Sequence, residues 1–151
     1  MFDGEITPIR VFSNANRFIE AYHAVLQPLC RESGLPPLAV DVLMFAANNP
    51  DYATARNVCK YRGLKPGIVS VHVERLVNEG YLERQNVPGD RRQTLLVCTE
   101  KAQPLVEQGR ALQKRFSERL TMGLSDADKE ALHKAMTLLD NNIDEIRKTG
   151  L

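Results

Sequence analysis

Residues 64–99 read LKPGIVSVHVERLVNEGYLERQNVPGDRRQTLLVCT, and they carry the strongest structural signal in this 151-residue chain. The first part predicts an amphipathic helix over residues 66–79, because its apolar residues recur at the spacing of one helix face. Pro66 suits the first helical turn and Gly80 suits the helix end. The apolar stripe consists of Val69, Val73, Leu76 and Val77.

The segment after Gly80 predicts a β-hairpin. Residues 81–85 and 94–98 are strand-like, and residues 86–90 are a cluster of turn formers. Asp90 is the one acid of that turn, and we expect it to brace a neighbouring arginine or to bond loop amides. Three guanidinium groups surround the turn, those of Arg84, Arg91 and Arg92.

A shorter helix is predicted upstream, over residues 53–61, with Thr54 or Asp51 as its cap and Gly63 at its end. Helix, short turn, helix and basic hairpin follow in the order of a winged helix-turn-helix. In such a module one helix enters the DNA major groove while the hairpin reaches the backbone or the minor groove. We expect two residues of the upstream helix to pack inward and three to face solvent or phosphate: Ala55 and Val58, and Arg56, Lys60 and Arg62, respectively.

The outward face of the second helix carries few carboxylates, which suits an approach to phosphates. Arg75 on that face is predicted to read bases, because arginine pairs with guanine edges in the major groove. The arginines of the hairpin are predicted to contact the backbone or a narrow minor groove. The candidate DNA-binding residues are Lys65, Pro66, Gly67, Ser70, Val71, His72, Arg75, Arg84, Asp90, Arg91 and Arg92.

The charge distribution agrees with this prediction, although the whole chain has a net charge of only +1. Residues 56–92 hold eight Lys/Arg and four Asp/Glu, a balance of +4, and the rest of the chain is −3. Positive charge is therefore concentrated where the motif lies, as expected of a nucleic-acid-binding surface.

This stretch resembles the MarR family of bacterial transcription regulators. The shared pattern is a Leu-x-x-x-Gly run that ends at Gly80, an apolar pair with an arginine, the Asp-Arg-Arg of residues 90–92, and the returning strand 95–99. Cys98 and Ala102 stand where the family usually has leucine and glycine. The resemblance implies a DNA-binding dimer with interleaved terminal helices, and a pocket between its two lobes that often takes small aromatic acids.

Both ends of the chain are predicted to be helical. Residues 12–30 form one amphipathic helix, and Leu35-Pro36-Pro37 separates it from a helix over residues 38–48. Residues 100–122 and 126–148 form two more. The last of these begins with a sequence typical of a capping box, Ser125 with Asp128.

The predicted fold class is mainly α (α+β), a single domain over residues 1–151. Within it, residues 36–99 form the winged helix-turn-helix lobe, and residues 8–32 and 100–148 supply the helices of a dimerisation lobe. The apolar residues of the last helix recur in 4-3-4-3 steps, a spacing typical of a helix seam. This seam predicts a homodimer that binds a palindromic operator, with an interface that includes Phe12, Leu132, Met136, Leu139, Ile143 and Ile146.

Composition excludes several other classes. The chain is 43% hydrophobic and 26% charged, as in soluble globular proteins, and no apolar run approaches the roughly 20 residues of a membrane span. The start of the chain lacks the pattern of a signal peptide, so we expect a cytoplasmic protein. No catalytic set or metal-ligand spacing is recognisable, and we expect neither an enzyme nor a cofactor.

Two further hypotheses and one ligand assignment remain open at the level of sequence. A thiol-based redox regulator on DNA needs a reactive cysteine, for which Cys30 beside Arg31 is the candidate. A winged helix that binds protein instead of DNA is the other, and the hairpin arginines speak against it. A small-molecule effector, an aromatic acid by the resemblance, is predicted to contact Phe18, Tyr22 and His23, which are equally suited to a core.

Overall fold

The computed structural model describes residues 6–151 of the chain. Within these residues it confirms the mainly α (α+β) class, with seven α-helices and one two-stranded antiparallel sheet. None of these helices is long and apolar enough to cross a membrane. The chain divides into two compact units, Met1–Lys114 and Arg115–Leu151. The elements are α1 (Pro8–Val25), α2 (Gln27–Ser33), α3 (Pro37–Asn48), α4 (Ala55–Arg62), α5 (Pro66–Asn78), β1 (Leu82–Val87), β2 (Asp90–Cys98), a 3-10 turn (Glu100–Ala102), α6 (Gln103–Leu120) and α7 (Asp126–Thr149).

The helix-turn-helix is present as predicted. Thr54 caps α4, and its hydroxyl accepts from the Asn57 amide at 3.2 Å. Gly63 ends α4 with φ +64° and Gly80 follows α5 with φ +80°, backbone angles that residues with a side chain rarely adopt. The core side of these helices packs into one apolar cluster with the first strand, through buried residues that include Val58, Val69, Val73, Leu76 and Leu82.

The single helix predicted for residues 12–30 is wrong. The structure has two helices there, α1 and α2, joined at Leu26. Pro28 explains the break, because it has no N–H to bond to the carbonyl of Ala24. The break buries Leu26 completely in the core, whereas α1 itself has no fully buried residue.

The inward placement of Ala55 is also wrong, because Ala55 is exposed at the start of α4. Ala53, two residues earlier, is fully buried in its place. The carbonyl of Ala53 accepts from the Leu96 amide at 2.8 Å, and Thr54 forms a β-bridge with Leu95. The segment before α4 is thereby attached to the edge of β2, and this attachment holds the hairpin against the helices.

The hairpin is longer and its turn tighter than predicted. Its strands extend to Val87 and resume at Asp90, which pair with each other across Pro88 and Gly89. One step further along the ladder, Asn86 pairs with Thr94. Three residues of β2 therefore have no partner on β1, and this bulge consists of Arg91, Arg92 and Gln93.

Gly109 fixes how closely α6 approaches the core. A Cβ at this position would collide with the Met44 sulfur and would lie 2.9 Å from its Cε and 3.4 Å from Leu29 Cδ1. Met44 is itself buried, so it has little room to move. We expect Gly109→Val to lower the free energy of unfolding in urea by about 1–3 kcal/mol. The matched change Ala111→Val, on the exposed side of the same helix, should stay within about 0.5 kcal/mol.

The second unit contains the end of α6 and the whole of α7. The predicted capping box is confirmed: the Ser125 hydroxyl accepts from the Asp128 amide at 3.1 Å, and the Asp128 carboxylate accepts from the Ser125 amide at 3.0 Å. These bonds lower the pKa of Asp128. No residue of α7 is buried within the described chain. Five of its large apolar side chains are exposed along one seam: Leu132, Met136, Leu139, Ile143 and Ile146.

Candidate nucleic-acid interface

The exposed side of α5 is concentrated in its first two turns. Val71 is 66% exposed, and Ser70 and the residues at the helix start are exposed as well. Val69 and Val73 are buried on the opposite side. The surface thus offers a small hydroxyl and a small apolar side chain, with Ile68 also exposed beside them. Its members are Lys65, Pro66, Gly67, Ser70 and Val71.

His72 lies at the flank of this surface and is half-buried. Its Nδ1 is buried without a hydrogen-bond partner among the described residues. Burial, and after it the positive charge of Arg75, lower the pKa of His72. The ring is therefore neutral near pH 7, and His72 adds no positive charge to the surface.

Arg75 lies on the exposed side of α5, as the sequence predicted, and its side chain also bonds within the chain. Its guanidinium donates to the Gly34 carbonyl at 2.7 Å and lies 3.5 Å from the Glu79 carboxylate. Gly34 is the residue that ends α2, so this bond ties the recognition helix to the α2–α3 connection. Helix periodicity predicted the exposed face correctly, but it does not indicate the partner of a long side chain.

Arg84 is likewise engaged within the chain. Its guanidinium donates to the Glu74 carboxylate at 2.9 Å, an ion pair between β1 and α5. Both side chains are substantially exposed, so water and salt weaken the pair. Arg84 joins the hairpin to the recognition helix, and part of its charge is offset there.

The tip of the hairpin presents the remaining arginines. The Asp90 carboxylate accepts from the Arg92 amide at 2.9 Å, and so bonds a loop amide, one of the two roles considered for it. Arg91 and Arg92 are exposed in the bulge of β2. The Asp90 carboxylate therefore shapes the turn through the backbone, and the side chains of Arg91 and Arg92 remain exposed.

A groove between the start of α4 and β2 adds two cations of α4, Arg56 and Lys60, that were not among the candidate DNA-binding residues. It has a volume of about 700 Å³ and is lined by Arg56, Lys60 and Arg92, together with polar residues of both elements. Asp90 is the acid in its lining. Of the three basic residues of α4 expected to face solvent or phosphate, Arg56 and Lys60 line this groove. The expectation is wrong for Arg62, which is half-buried and bonds to Asp41.

The end of α5 is fixed by residues that follow the hairpin. Lys101 donates to the Glu79 carbonyl at 2.6 Å and lies 4.6 Å from the centre of the Tyr81 ring. The Thr99 hydroxyl donates to the Gly80 carbonyl at 2.6 Å. A cation at a helix C-terminus is favourable for the helix dipole, so these bonds stabilise the recognition helix and hold the hairpin root beside it.

Two of the three candidate effector residues are held by hydrogen bonds to other helices. The Tyr22 hydroxyl accepts from Gln113 at 2.6 Å, and His23 Nε2 lies 2.8 Å from Asp41 Oδ2. Burial raises the pKa of Tyr22. Phe18 is 43% exposed on α1. Tyr22 and His23 thus take part in two separate hydrogen-bond networks of the first unit.

Cys30, the candidate for a redox role, and Cys98 are poorly suited to that role. Burial raises the pKa of the Cys30 thiol and that of the Cys98 thiol, which disfavours the reactive thiolate in both. The positive charges of Arg31 and Arg110 act in the opposite sense and are outweighed. Among residues 6–151, no group of three or more potential metal ligands lies together.

Comparisons with known proteins show which families and structures this chain is similar to. Residues 33–93 match the model of the MarR family. A MarR transcriptional regulator from Methanosarcina mazei Go1 is similar in structure with a TM-score of 0.74 and 17% identity, over 95% of this chain and 96% of that one.

Two further structures resemble the chain. A MarR-family regulator from Listeria monocytogenes, in complex with a 26mer DNA, has a TM-score of 0.75 and 14% identity over 97% of each chain. BpsR of Bordetella bronchiseptica, whose DNA binding is regulated by 6-hydroxynicotinic acid, has a TM-score of 0.64 and 22% identity over 87% of this chain and 98% of that one. The chain therefore carries, over residues 33–93, a winged helix-turn-helix of the MarR family, within the fold that these regulators share.

Proposed function

We propose that the protein is a transcriptional regulator that binds double-stranded DNA in a sequence-specific manner. The observation that carries this proposal is the continuous surface formed by the exposed start of α5, the basic groove beside α4 and the two arginines of the hairpin tip. One surface thus offers a groove-reading helix and, beside it, cations for the DNA backbone.

Base recognition is assigned to the first turns of α5. Ser70 can donate or accept a hydrogen bond at a base edge, and Val71 can contact a thymine methyl group. Gly67 leaves room for the backbone to come close to the DNA. In this proposal Arg75 contributes indirectly to base recognition, because its bond to the Gly34 carbonyl holds α5 in place.

Backbone contacts are assigned to the basic residues that flank the helix. Arg56 and Lys60 line the groove beside α4, and Lys65 stands at the start of α5. Arg91 and Arg92 reach either the backbone or the minor groove from the hairpin tip. These contacts supply affinity, whereas the helix supplies the sequence preference.

The proposed active form is a homodimer on a palindromic operator. Both α1 and α7 lack buried residues in the described chain, although each has several large apolar side chains. A contiguous exposed seam of this kind marks an interaction surface. A second copy is the proposed occupant, because two-fold symmetry would also place two recognition helices on two half-sites.

The proposed mode of regulation is repression that a small molecule relieves. The support is the likeness to BpsR, whose DNA binding responds to an aromatic acid. Phe18, Tyr22 and His23 remain the proposed contacts, with Tyr22 and His23 already bonded to neighbouring helices. A ligand that competes for those bonds would alter how α1 is held.

Selection of bound duplexes from a random DNA pool tests the proposal directly. We expect an enriched palindrome whose half-sites lie about one helical turn apart. Candidate aromatic acids can then be screened for release of the protein from the selected site. If no duplex is enriched at low salt, the protein is not a sequence-specific DNA-binding regulator.

Arg92→Ala is expected to weaken binding to the selected duplex and to unrelated DNA by similar factors, because a hairpin arginine contacts the backbone or the groove shape. Titrations of both duplexes by fluorescence anisotropy measure the two factors. Lys134→Ala removes the same kind of charge from α7 and should leave both affinities unchanged. A change in the preferred sequence on Arg92→Ala would instead make this residue a base reader.

A further inference from the structure

Asp41 is a buried carboxylate at the meeting point of three helices. It lies within α3, and its side chain is 2% exposed. Its Oδ2 atom lies 2.8 Å from His23 Nε2 of α1 and 2.7 Å from the Arg62 guanidinium of α4. A buried charge is costly unless it is paired and hydrogen-bonded. The folded chain therefore keeps both donors on one oxygen atom.

Arg62 occupies a position that matters for DNA binding. It is the last residue of α4, and Gly63 follows it with φ +64° at the turn that leads to α5. The direction of the recognition helix depends on this turn. The bond to Asp41 thus anchors the turn to the middle of α3.

His23 lies near the end of α1, a helix with no buried residue and with exposed apolar side chains along its length. Among the residues of α1, Tyr22 is the one that packs partly against the core. The neighbouring bond from His23 to Asp41 is a directional contact. It breaks when α1 moves by roughly 1 Å, whereas apolar packing weakens gradually.

A second hydrogen-bond network begins at the adjacent residue of α1, Tyr22, and extends to α6 and α3. Gln113 of α6 donates to the Tyr22 hydroxyl at 2.6 Å and accepts from Asn48 at 2.9 Å. This network joins α1 to α6 and to the end of α3. It supplies a matched comparison for the His23–Asp41 bond, because it also holds α1 against neighbouring helices but none of its hydrogen bonds reaches the turn after α4.

We propose that Asp41 is the positioning residue through which helix α1 sets the DNA affinity of the winged helix. The inference rests on the proposed DNA binding and extends it. While His23 is in place, Asp41 and Arg62 hold the α4–α5 turn in one arrangement. When α1 shifts, the bond between His23 and Asp41 breaks. Arg62 is then the remaining partner of the carboxylate among the described residues, and the Asp41–Arg62 pair re-orients together with the turn.

The test compares His23→Leu with His23→Gln, whose side-chain amide can still donate from a similar position. We expect His23→Leu to change the affinity for the selected duplex by about 5- to 150-fold, the usual range of coupling between sites. His23→Gln should restore most of it. Gln113→Leu, which breaks the comparison network, should change the affinity much less.

Four readouts separate positioning from general damage. His23→Leu removes one partner of a buried carboxylate, so its unfolding midpoint should fall but stay well above the assay temperature, and its oligomeric state should remain that of the wild type. The slope of affinity against salt should also be unchanged, because no phosphate contact is lost. In a double-mutant cycle, His23→Leu and Arg62→Gln should be non-additive, because both act through one carboxylate.

The outcomes distinguish a failure of this inference from a failure of the proposed DNA binding on which it rests. If the wild type binds DNA and His23→Leu binds equally well, Asp41 does not couple α1 to the winged helix. Additive effects in the cycle, or an equal loss in Gln113→Leu, overturn the inference as well. A wild type that binds no duplex overturns the proposed function and this inference together.

Discussion

Ile143→Asp is expected to dissociate the protein into monomers and to abolish tight binding to a palindromic duplex. Ile143 is 52% exposed on the seam of α7, where the proposed partner copy covers it. Burying an unpaired carboxylate in an apolar interface costs several kcal/mol. A monomer retains the contacts of one half-site only, so the affinity for the whole operator is lost with the dimer.

Sedimentation and light scattering measure the oligomeric state, and a gel shift with the selected palindrome measures binding. Asn141→Asp introduces the same carboxylate about half a turn away, off the seam, and should leave both unchanged. Circular dichroism shows whether the variant remains helical. A wild type that is monomeric at micromolar concentration and still binds the palindrome tightly would remove the role proposed for the seam.

Affinity for duplex DNA is expected to fall by about 10³- to 10⁴-fold between 50 and 200 mM salt. Each subunit offers five cations at the proposed interface, and about six to eight phosphates neutralised by the dimer give a log–log slope of roughly −5 to −7. The five are Arg56, Lys60, Lys65, Arg91 and Arg92. Arg75 is not counted among these cations, because its guanidinium bonds to the Gly34 carbonyl.

Lys60→Gln tests whether the groove beside α4 belongs to this interface. It should reduce the slope by about two for the dimer, one phosphate contact per subunit, and weaken all duplexes alike. Lys134→Gln on α7 should leave the slope unchanged. A wild-type slope near zero would show that the basic surface does not meet a phosphate backbone.

The sequence was sufficient for the local structure of the winged helix. Caps and stops at Thr54, Gly63 and Gly80 are short-range signals, and the structure has them where the residues indicated. The apolar stripe of α5 likewise predicted which side is buried, since helix periodicity depends on neighbouring turns only.

The partners of long side chains could not be predicted from the sequence, for a physical reason. The face and charge of Arg75 and Arg84 predict DNA contacts but do not indicate the bonds to Gly34 and Glu74 that the structure shows. Gly34 lies 41 residues away in the chain, and no pattern within a helix announces such a partner. The groove lined by Arg56 and Arg92 could not be predicted either, because its two walls come from α4 and β2, which are separate in the sequence.

The bulged hairpin also bears on aggregation. Open strand edges offer unpaired N–H and C=O groups to strands of other molecules, and natural proteins protect them with bulges and charges. The bulge of β2 places Arg91 and Arg92 on the hairpin, where two copies would repel each other. When no DNA is bound, the same arginines therefore discourage strand-to-strand association, so a variant with uncharged side chains at the bulge should be more prone to aggregate during storage at high concentration.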